Sequence, residues 1–189
     1  MPLPHYTRPM PSTAPMTAEE LLRFQPPHKR TELVDGVMLV REPAGFRHGV
    51  IASVIGARVR NHVVQHELGV TVAAETGFIL RRDPDTVRAP DVAFISRDRL
   101  PPQDTRGFAE LAPDLVVEVL SPDDQPGEVL AKCADWLRAG CRLVWVVEPE
   151  RRAVRVYRAA GSVAVVGESG VVDGEDVLPG FSCAVAEML

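Results

Sequence analysis

Two hydrophobic spacings alternate along the chain, and together they predict an α/β protein. Residues 47–68 carry valine and isoleucine at helical spacing, which predicts a long amphipathic helix ending before Gly69. Residues 127–139 repeat that spacing and are followed by Gly140. Residues 91–96 and 114–120 are short apolar runs of the kind found in buried strands.

The N-terminal third predicts a short helix followed by a hairpin. Thr17 and Glu20 have the spacing of a capping box, so a helix should run from Thr17 to about residue 24 and stop at the Pro26-Pro27 pair. Residues 32–42 predict a β-hairpin that turns at Asp35-Gly36.

The order of elements predicts a central mixed sheet flanked by helices. Further strands are expected within 70–80, 142–147 and 153–157, and the last thirty residues should add short strands at the sheet edge. A crossover helix between the strands 114–120 and 142–147 requires those two strands to be parallel, whereas the hairpins require antiparallel pairs. Residues 1–16 are proline-rich and predict a mobile extended arm, and residues 17–189 predict a single domain.

Composition narrows the protein class. A chain of 189 residues with 46% hydrophobic residues can bury one ordinary core, yet no stretch approaches the ~18 apolar residues of a spanning helix. The N-terminus lacks the apolar segment of a secretory signal, and the three scattered cysteines suit small buried residues in a reducing compartment, so we expect a cytoplasmic protein without a membrane segment. A net charge of −5 argues against nucleic-acid binding through overall positive charge, but not against an enzyme that approaches phosphates through a metal ion.

The strand 114–120 contains the main chemical signal. It is apolar on both faces apart from its acids, so Glu118 should lie mid-strand inside the sheet, where it has to be neutralised, paired or metal-bound. Asp91 begins the preceding strand and can lie beside Glu118 if the two strands are neighbours. Asp114 is about 13 Å away along the same strand, too far to share an ion, and is expected to be a strand-entry residue.

Lys132 is one of only two lysines in the chain. It falls at the edge of the apolar face of the helix 127–139, from which a long side chain can extend along the sheet towards Glu118. A plain surface lysine is the alternative interpretation.

These residues together resemble the PD-(D/E)XK superfamily of restriction-endonuclease-like nucleases, and within it the Uma-type family. The stretches that carry the resemblance are 30–36, Pro43-Ala44-Gly45 before His48, 89–94, 112–122, Lys132 and Trp145. The superfamily's E-x-K pattern would place lysine at position 120, where this chain has Leu120. In the Uma-type pattern that lysine lies on the following helix, at the place of Lys132.

The resemblance implies a restriction-endonuclease-like fold and an enzyme that hydrolyses DNA phosphodiester bonds. Asp91 and Glu118 would bind Mg²⁺, or Mn²⁺, with the carbonyl of Val119 as a further ligand. Lys132 would orient or help to deprotonate a metal-bound water and stabilise the transition-state charge. A homodimer is expected from the family alone.

Three further residues keep two interpretations each. Glu32 is either a ligand or a support for the ligands, or a surface acid of the hairpin that pairs with Arg30. His48 either contacts a phosphate or orients water, or is a surface or capping residue at the start of its helix. Glu75, predicted to lie mid-strand, either joins the site or pairs with an arginine.

Other polar residues have simpler interpretations. His62 and His66 should lie on a solvated helix face, and Asp123 and Asp124 should cap the crossover helix. The two tryptophans, Trp136 and Trp145, are expected in the core or at an interface.

A second function remains open beside the nuclease. A catalytically inactive nuclease fold acting as a binding or assembly module would suit the acidic balance and Leu120. The position of the Lys132 side chain separates the two, because a lysine that faces solvent favours the module.

Overall fold

The computed structural model describes residues 14–24, 26 and 29–189. Most of the predicted N-terminal arm, residues 1–13, lies outside the described residues. The α-helices are α1 Ala18–Arg23, α2 Phe46–Gln65 and α3 Pro126–Arg138. The strands are β1 Arg30–Val34, β2 Val37–Arg41, β3 Gly69–Ala73, β4 Phe78–Arg81, β5 Thr86–Arg88, β6 Val92–Ser96, β7 Leu115–Val119, β8 Leu143–Glu148, β9 Ala153–Arg158, β10 Val163–Gly167, β11 Val171–Asp173 and β12 Ser182–Ala184.

A six-stranded mixed sheet forms the centre, with the strand order β10-β9-β8-β7-β6-β3. Strands β7 and β8 are parallel and are joined through α3, whereas β6 pairs with β7 antiparallel. The predicted parallel pair and the predicted mixed sheet are therefore confirmed. All five residues of β7 are buried, as expected for a strand with neighbours on both sides and a helix over each face.

Helices α2 and α3 cover opposite faces of this sheet. The apolar stripe of α2 packs against one face through Ile51, Ile55, Val59 and Val63. The other face packs against the buried residues of α3, Cys133 and Trp136. Because β7 lies between the two layers, a polar side chain in its middle is shielded from water on either face.

The predicted N-terminal helix and hairpin are confirmed. The capping box of α1 is complete, with Thr17 and Glu20 each accepting from the other's main-chain N–H. The hairpin turns at Asp35 and Gly36, whose positive φ values of 52° and 74° match a tight two-residue loop. The hairpin belongs to a second sheet, of order β2-β1-β5-β4, in which Leu33 pairs with Val87. This pairing brings β1 beside the segment that leads into β6.

Two local predictions, which concern three residues, were wrong. Glu75 lies on an exposed turn with φ 70°, because β3 has already ended at Ala73. Neither Asp123 nor Asp124 caps α3: its N-cap is Gln125, and the Asp124 side chain accepts from the main-chain N–H of Ser121, at 2.8 Å.

Two features of the remaining chain complete the fold. Strand β10 does form an edge of the central sheet, but β11 and β12 pair only with each other in a separate ribbon, against the prediction that the whole C-terminal segment extends that edge.

The three cysteines are buried and free, as predicted. None of the helices in the described part of the chain has the length and apolar character to cross a membrane.

Candidate active site

Pairing between β6 and β7 brings Asp91 next to Glu118. Val92 is opposite Val117 in the antiparallel register, which places Asp91 at the entrance to β6 beside the middle of β7. The main-chain N–H of Asp91 donates to the carbonyl of Val117 at 3.2 Å, and the N–H of Val119 donates to Asp91 Oδ2 at 2.7 Å. The strands are neighbours, as the sequence required for these two acids to meet.

Helix α3 provides two donors to the buried Glu118 carboxylate. Lys132 Nζ donates to Oε2 at 2.9 Å, and the indole Nε1 of Trp136 donates to Oε1 at 2.8 Å. Lys132 also donates to the carbonyl of Ala89 at 2.9 Å. The Lys132 side chain therefore extends across the sheet to the carboxylate and does not face solvent.

Glu32 enters the same cluster from the hairpin. Its Oε1 lies 2.9 Å from Lys132 Nζ and accepts from the main-chain N–H of Ala89 at 3.0 Å, while Arg88 donates to its Oε2 at 2.9 Å. Glu32 is only 7% exposed. The alternative of a surface acid paired with Arg30 is therefore wrong, because the pairing of β1 with β5 buries Glu32 against Arg88.

His48 and Arg30 approach Asp91 from its other side. His48, in the first turn of α2, has its Nε2 3.1 Å from Asp91 Oδ2. Arg30 Nη1 lies 3.7 Å from Asp91 Oδ1. His48 is thus oriented towards the acids and does not project freely from the start of its helix.

These side chains line one cavity of about 410 Å³. Asp91, Glu118, Lys132, Glu32 and His48 all contribute to its wall, and Val119 does so from β7. The exposed Glu75 also lines it, although no contact joins Glu75 to the buried acids among the contacts of the described residues. A set of residues spread over 100 positions of sequence is therefore gathered at one concave surface.

Burial and charge give the three carboxylates different proton affinities. Burial raises the pKa of Glu118 to about 7, and the charges of Asp91 and Glu32 act in the same direction against the opposing effect of Lys132. Burial would also raise the pKa of Glu32, but Lys132 and Arg88 outweigh it and lower that pKa to about 2. Glu118 is thus the acid whose negative charge is least compensated.

Two further groups have shifted pKa values. Burial opposes ionisation of Asp91, but the hydrogen bond and charge of His48 and the N–H of Val119 lower its pKa. Burial opposes protonation of Lys132, but Glu118 and Glu32 outweigh it and raise its pKa, so Lys132 carries a positive charge at neutral pH.

Glu118 should make the metal-free protein less stable as the pH rises. Its pKa is near 4.5 when unfolded and about 7 when folded, so the folded state holds the proton more tightly between these values. The free energy of unfolding in EDTA should therefore fall between pH 4.5 and 7, by up to about 3 kcal/mol. Urea unfolding of wild type and Glu118→Gln across this range measures the effect as the difference between them.

The comparison with Glu118→Gln is needed because other groups titrate nearby. His48, whose pKa is raised by its hydrogen bond to Asp91, adds a loss of stability above pH 6.5 that both proteins share. The lowered pKa of Glu32 affects the free energy of unfolding only below pH 4.5, where protonation of Glu32 removes its contribution to stability. If the stability of wild type rises relative to that of Glu118→Gln between pH 4.5 and 7, the raised pKa of Glu118 is contradicted.

Several other predicted polar residues lie outside the cavity. Asp114 accepts from Arg99 at 2.6 Å and from the main-chain N–H of Ser96 at 2.8 Å, which fits a structural residue at the strand entrance. His62 Nε2 lies 2.9 Å from the carbonyl of Pro179, and its ring contacts that of His66.

The sequence interpretation missed two members of the cluster. Arg88 bridges Glu32 and Asp135, and Trp136 donates to Glu118 although it was expected only in the core or at an interface. The spacing of Lys132 and Trp136, one helical turn apart, was the available signal for Trp136. For Arg88 no local signal exists, because its partners come from distant elements.

The described residues hold no group of three or more histidine, cysteine or acidic side chains arranged to bind a metal ion. A cation at this site would therefore be held by the two carboxylates of Asp91 and Glu118 together with main-chain oxygen, water or substrate. Mg²⁺ is commonly bound in this way, through one or two carboxylates, waters and phosphates.

Comparison with known proteins identifies a family and a similar fold. The sequence matches the family Uma2, described as "Putative restriction endonuclease", over residues 18–186. The fold is similar to that in the crystal structure of "a putative nuclease belonging to DUF820" from Anabaena variabilis ATCC 29413, with a TM-score of 0.80, 20% sequence identity, and coverage of 92% of this chain and 97% of that chain. No curated protein matches the sequence. At this identity the structural likeness concerns the fold, and it confirms the predicted restriction-endonuclease-like α/β architecture.

Proposed function

Since the chain belongs to the Uma2 family of restriction-endonuclease-like proteins, we propose that it is a Mg²⁺-dependent endonuclease that hydrolyses phosphodiester bonds of DNA. The observation that carries this proposal is the contact of Lys132 with Glu118 beside Asp91, in the wall of one cavity. The predicted homodimer and the cytoplasmic location stay predictions.

The donor set fits a divalent cation. Asp91 and Glu118 supply carboxylate oxygens from adjacent strands, and we assign the carbonyl of Val119 as the third protein ligand. Burial raises the pKa of Glu118, the neighbouring Asp91 and Glu32 act in the same direction, and the opposing charge of Lys132 does not cancel these effects. A cation of charge +2 would supply the missing compensation, and Mn²⁺ would serve as well as Mg²⁺.

The residues around the proposed cation site have separate roles. Mg²⁺, when bound, lowers the pKa of a coordinated water and offsets phosphate charge. Lys132 remains protonated, because Glu118 and Glu32 raise its pKa, so its positive charge would orient the water and stabilise charge developing on the phosphate. His48 and the N–H of Val119 hold Asp91 in its ionised form.

The lining of the cavity is close to charge balance, with five basic and six acidic residues. Basic side chains line the cavity alongside the acids: Lys29, Arg30, Arg41, Arg88 and Lys132. Arg41, on β2, pairs with Glu128 of α3 at 2.8 Å, so its charge is already offset by an acid of the same wall. A phosphate backbone would therefore approach this surface of a chain of charge −5 through the bound cation, and not through an excess of basic side chains.

The alternative of an inactive binding module rested on the acidic balance of the chain and on Leu120, which stands where the superfamily has its lysine. In this fold the amino group of Lys132 stands 2.9 Å from Glu118, so a cation is present at the acid from a different element. This geometry favours the enzyme over the module.

The proposal is tested by incubating the protein with single-stranded, linear and supercoiled DNA in Mg²⁺, Mn²⁺ or EDTA. Cleavage inside the strand that requires the metal is expected, together with metal binding in calorimetry. If neither cleavage nor binding of the metal is found, the module is the better explanation of the fold.

Replacing Lys132 with methionine should reduce the cleavage rate by roughly 10²- to 10³-fold, the usual cost of removing one preorganised positive donor. Methionine keeps an unbranched side chain of similar length but removes the charge. Metal binding should persist, since Asp91 and Glu118 remain.

Rates and calorimetric affinities of wild type and Lys132→Met measure this separation. The matched control is Lys29→Met, which removes the other lysine of the cavity. Lys29 is paired with Glu42 and not with Glu118. Equal losses in the two variants would show that Lys132 contributes only general positive charge.

A further inference from the structure

The indole of Trp136 makes a specific contact with the candidate metal ligand. Its Nε1 donates to Glu118 Oε1 at 2.8 Å, while Lys132, one turn earlier on α3, donates to Oε2 at 2.9 Å. The two oxygens of one carboxylate are thus assigned to two different donors of the same helix.

The two donors differ in how freely they can move. Trp136 is fully buried, and its ring packs edge-on against Phe78, with centroids 6.1 Å apart and an interplanar angle of 73°. The Lys132 side chain is 22% exposed and lines the cavity. The indole bond is therefore fixed by packing, whereas a flexible four-carbon side chain holds the other oxygen.

The second tryptophan shows that burial alone does not produce such a bond. Trp145 is also fully buried, yet its Nε1 has no hydrogen-bond partner within the described residues. It packs in the core on the opposite face of the sheet. The chain thus contains a matched pair of enclosed indoles, of which one contacts an acid.

We propose that Trp136 is a positioning residue that holds Oε1 of Glu118 and leaves Oε2 as the oxygen available to a cation. The inference rests on the proposed metal-dependent function. An indole N–H can only donate, so it binds the ionised carboxylate without adding charge to the site. It also fixes the side-chain rotation of Glu118, which would otherwise have to be restricted when the cation binds.

Calorimetric titration with Mn²⁺ tests the proposal in Trp136→Phe and Trp145→Phe. Both variants replace a buried indole with a smaller ring, but only Trp136→Phe removes the bond to Glu118. Mn²⁺ affinity should fall roughly 10- to 100-fold in Trp136→Phe, the usual effect of losing a group that orients a ligand, and stay near the wild-type value in Trp145→Phe. Equal affinities in the two variants would overturn the proposal.

A spectroscopic measurement keeps the test decisive if Trp136→Phe does not fold. The chain has two tryptophans, so Trp145→Phe leaves Trp136 as its single indole. Addition of Mg²⁺ should change the tryptophan fluorescence of the Trp145→Phe protein. The change should be absent from a protein that carries both Trp145→Phe and Glu118→Gln. If calorimetry shows that the Trp145→Phe protein binds Mg²⁺ but its fluorescence does not change, the inference is overturned.

The two levels of the hypothesis fail differently. If wild type binds no Mn²⁺ in a Glu118-dependent manner, the proposed metal-dependent function fails and the role of Trp136 fails with it. If wild type binds Mn²⁺ and Trp136→Phe binds it equally well, only the positioning role is wrong.

Discussion

Glu118→Gln is expected to abolish metal-dependent DNA cleavage, with a loss of at least about 1,000-fold. A bound metal contributes several kcal/mol to catalysis, and each 1.36 kcal/mol is a factor of ten in rate. Glutamine keeps the shape of the side chain but removes the negative charge that attracts the cation. Cleavage rates and calorimetric metal binding, measured on the same samples, should both be lost.

Asp114→Asn is the matched control for Glu118→Gln. Asp114 lies next to the start of the same strand and is almost fully buried, but its partners are Arg99 and the main chain of Ser96. The variant should lose stability while it keeps metal binding and cleavage. Cleavage by Glu118→Gln within about tenfold of wild type would contradict the role of Glu118, since a lost metal ligand costs several kcal/mol.

Arg88→Met should lower the free energy of unfolding by about 3–5 kcal/mol, the usual cost of removing one partner from a buried ion pair. The Arg88 side chain is only 5% exposed and bridges two acids, Glu32 at 2.9 Å and Asp135 at 2.6 Å. Methionine fills part of the space but leaves both carboxylates short of a cation. Urea unfolding in EDTA at neutral pH measures the loss.

Arg58→Met provides the comparison for an exposed ion pair. Arg58 pairs with Glu187 at 2.9 Å, but both side chains are largely in solvent. This variant should lose no more than about 1 kcal/mol, as is usual for surface pairs. If Arg88→Met were no more harmful than Arg58→Met, the buried network would not contribute to stability as described.

The sequence predicted those parts of the site that depend on the pattern of one strand or helix. The unbroken apolar run around Glu118 identified a central strand, and the cost of burying an acid there identified a functional candidate. The position of Lys132 at the edge of an apolar helix face left two interpretations, and the structure shows the one in which the side chain reaches Glu118. The role of these residues in catalysis stays a proposal, although their arrangement is now described.

The parts that the sequence did not predict depend on contacts between distant elements. Glu32 pairs with Arg88 because β1 joins β5 in the smaller sheet, and no local pattern indicates that pairing. Glu75 lies in a stretch rich in β-forming residues, but the chain turns there before β4 begins. Propensity describes a segment, whereas these outcomes are decided by what packs against it.

The charged groups of the site lie on two different layers of the fold. Lys132 lies on helix α3, whereas Glu118 lies on strand β7, directly after which Leu120 occupies the position at which the superfamily pattern has lysine. Strand β7 is fixed by main-chain hydrogen bonds to both neighbours, while α3 packs on it through side chains such as Trp136. Alignment of the charge at Lys132 with the carboxylate of Glu118 is therefore a property of the helix–sheet junction and not of the strand alone. A displacement of α3 by a fraction of a helical turn would separate the two groups while every strand pair stayed intact.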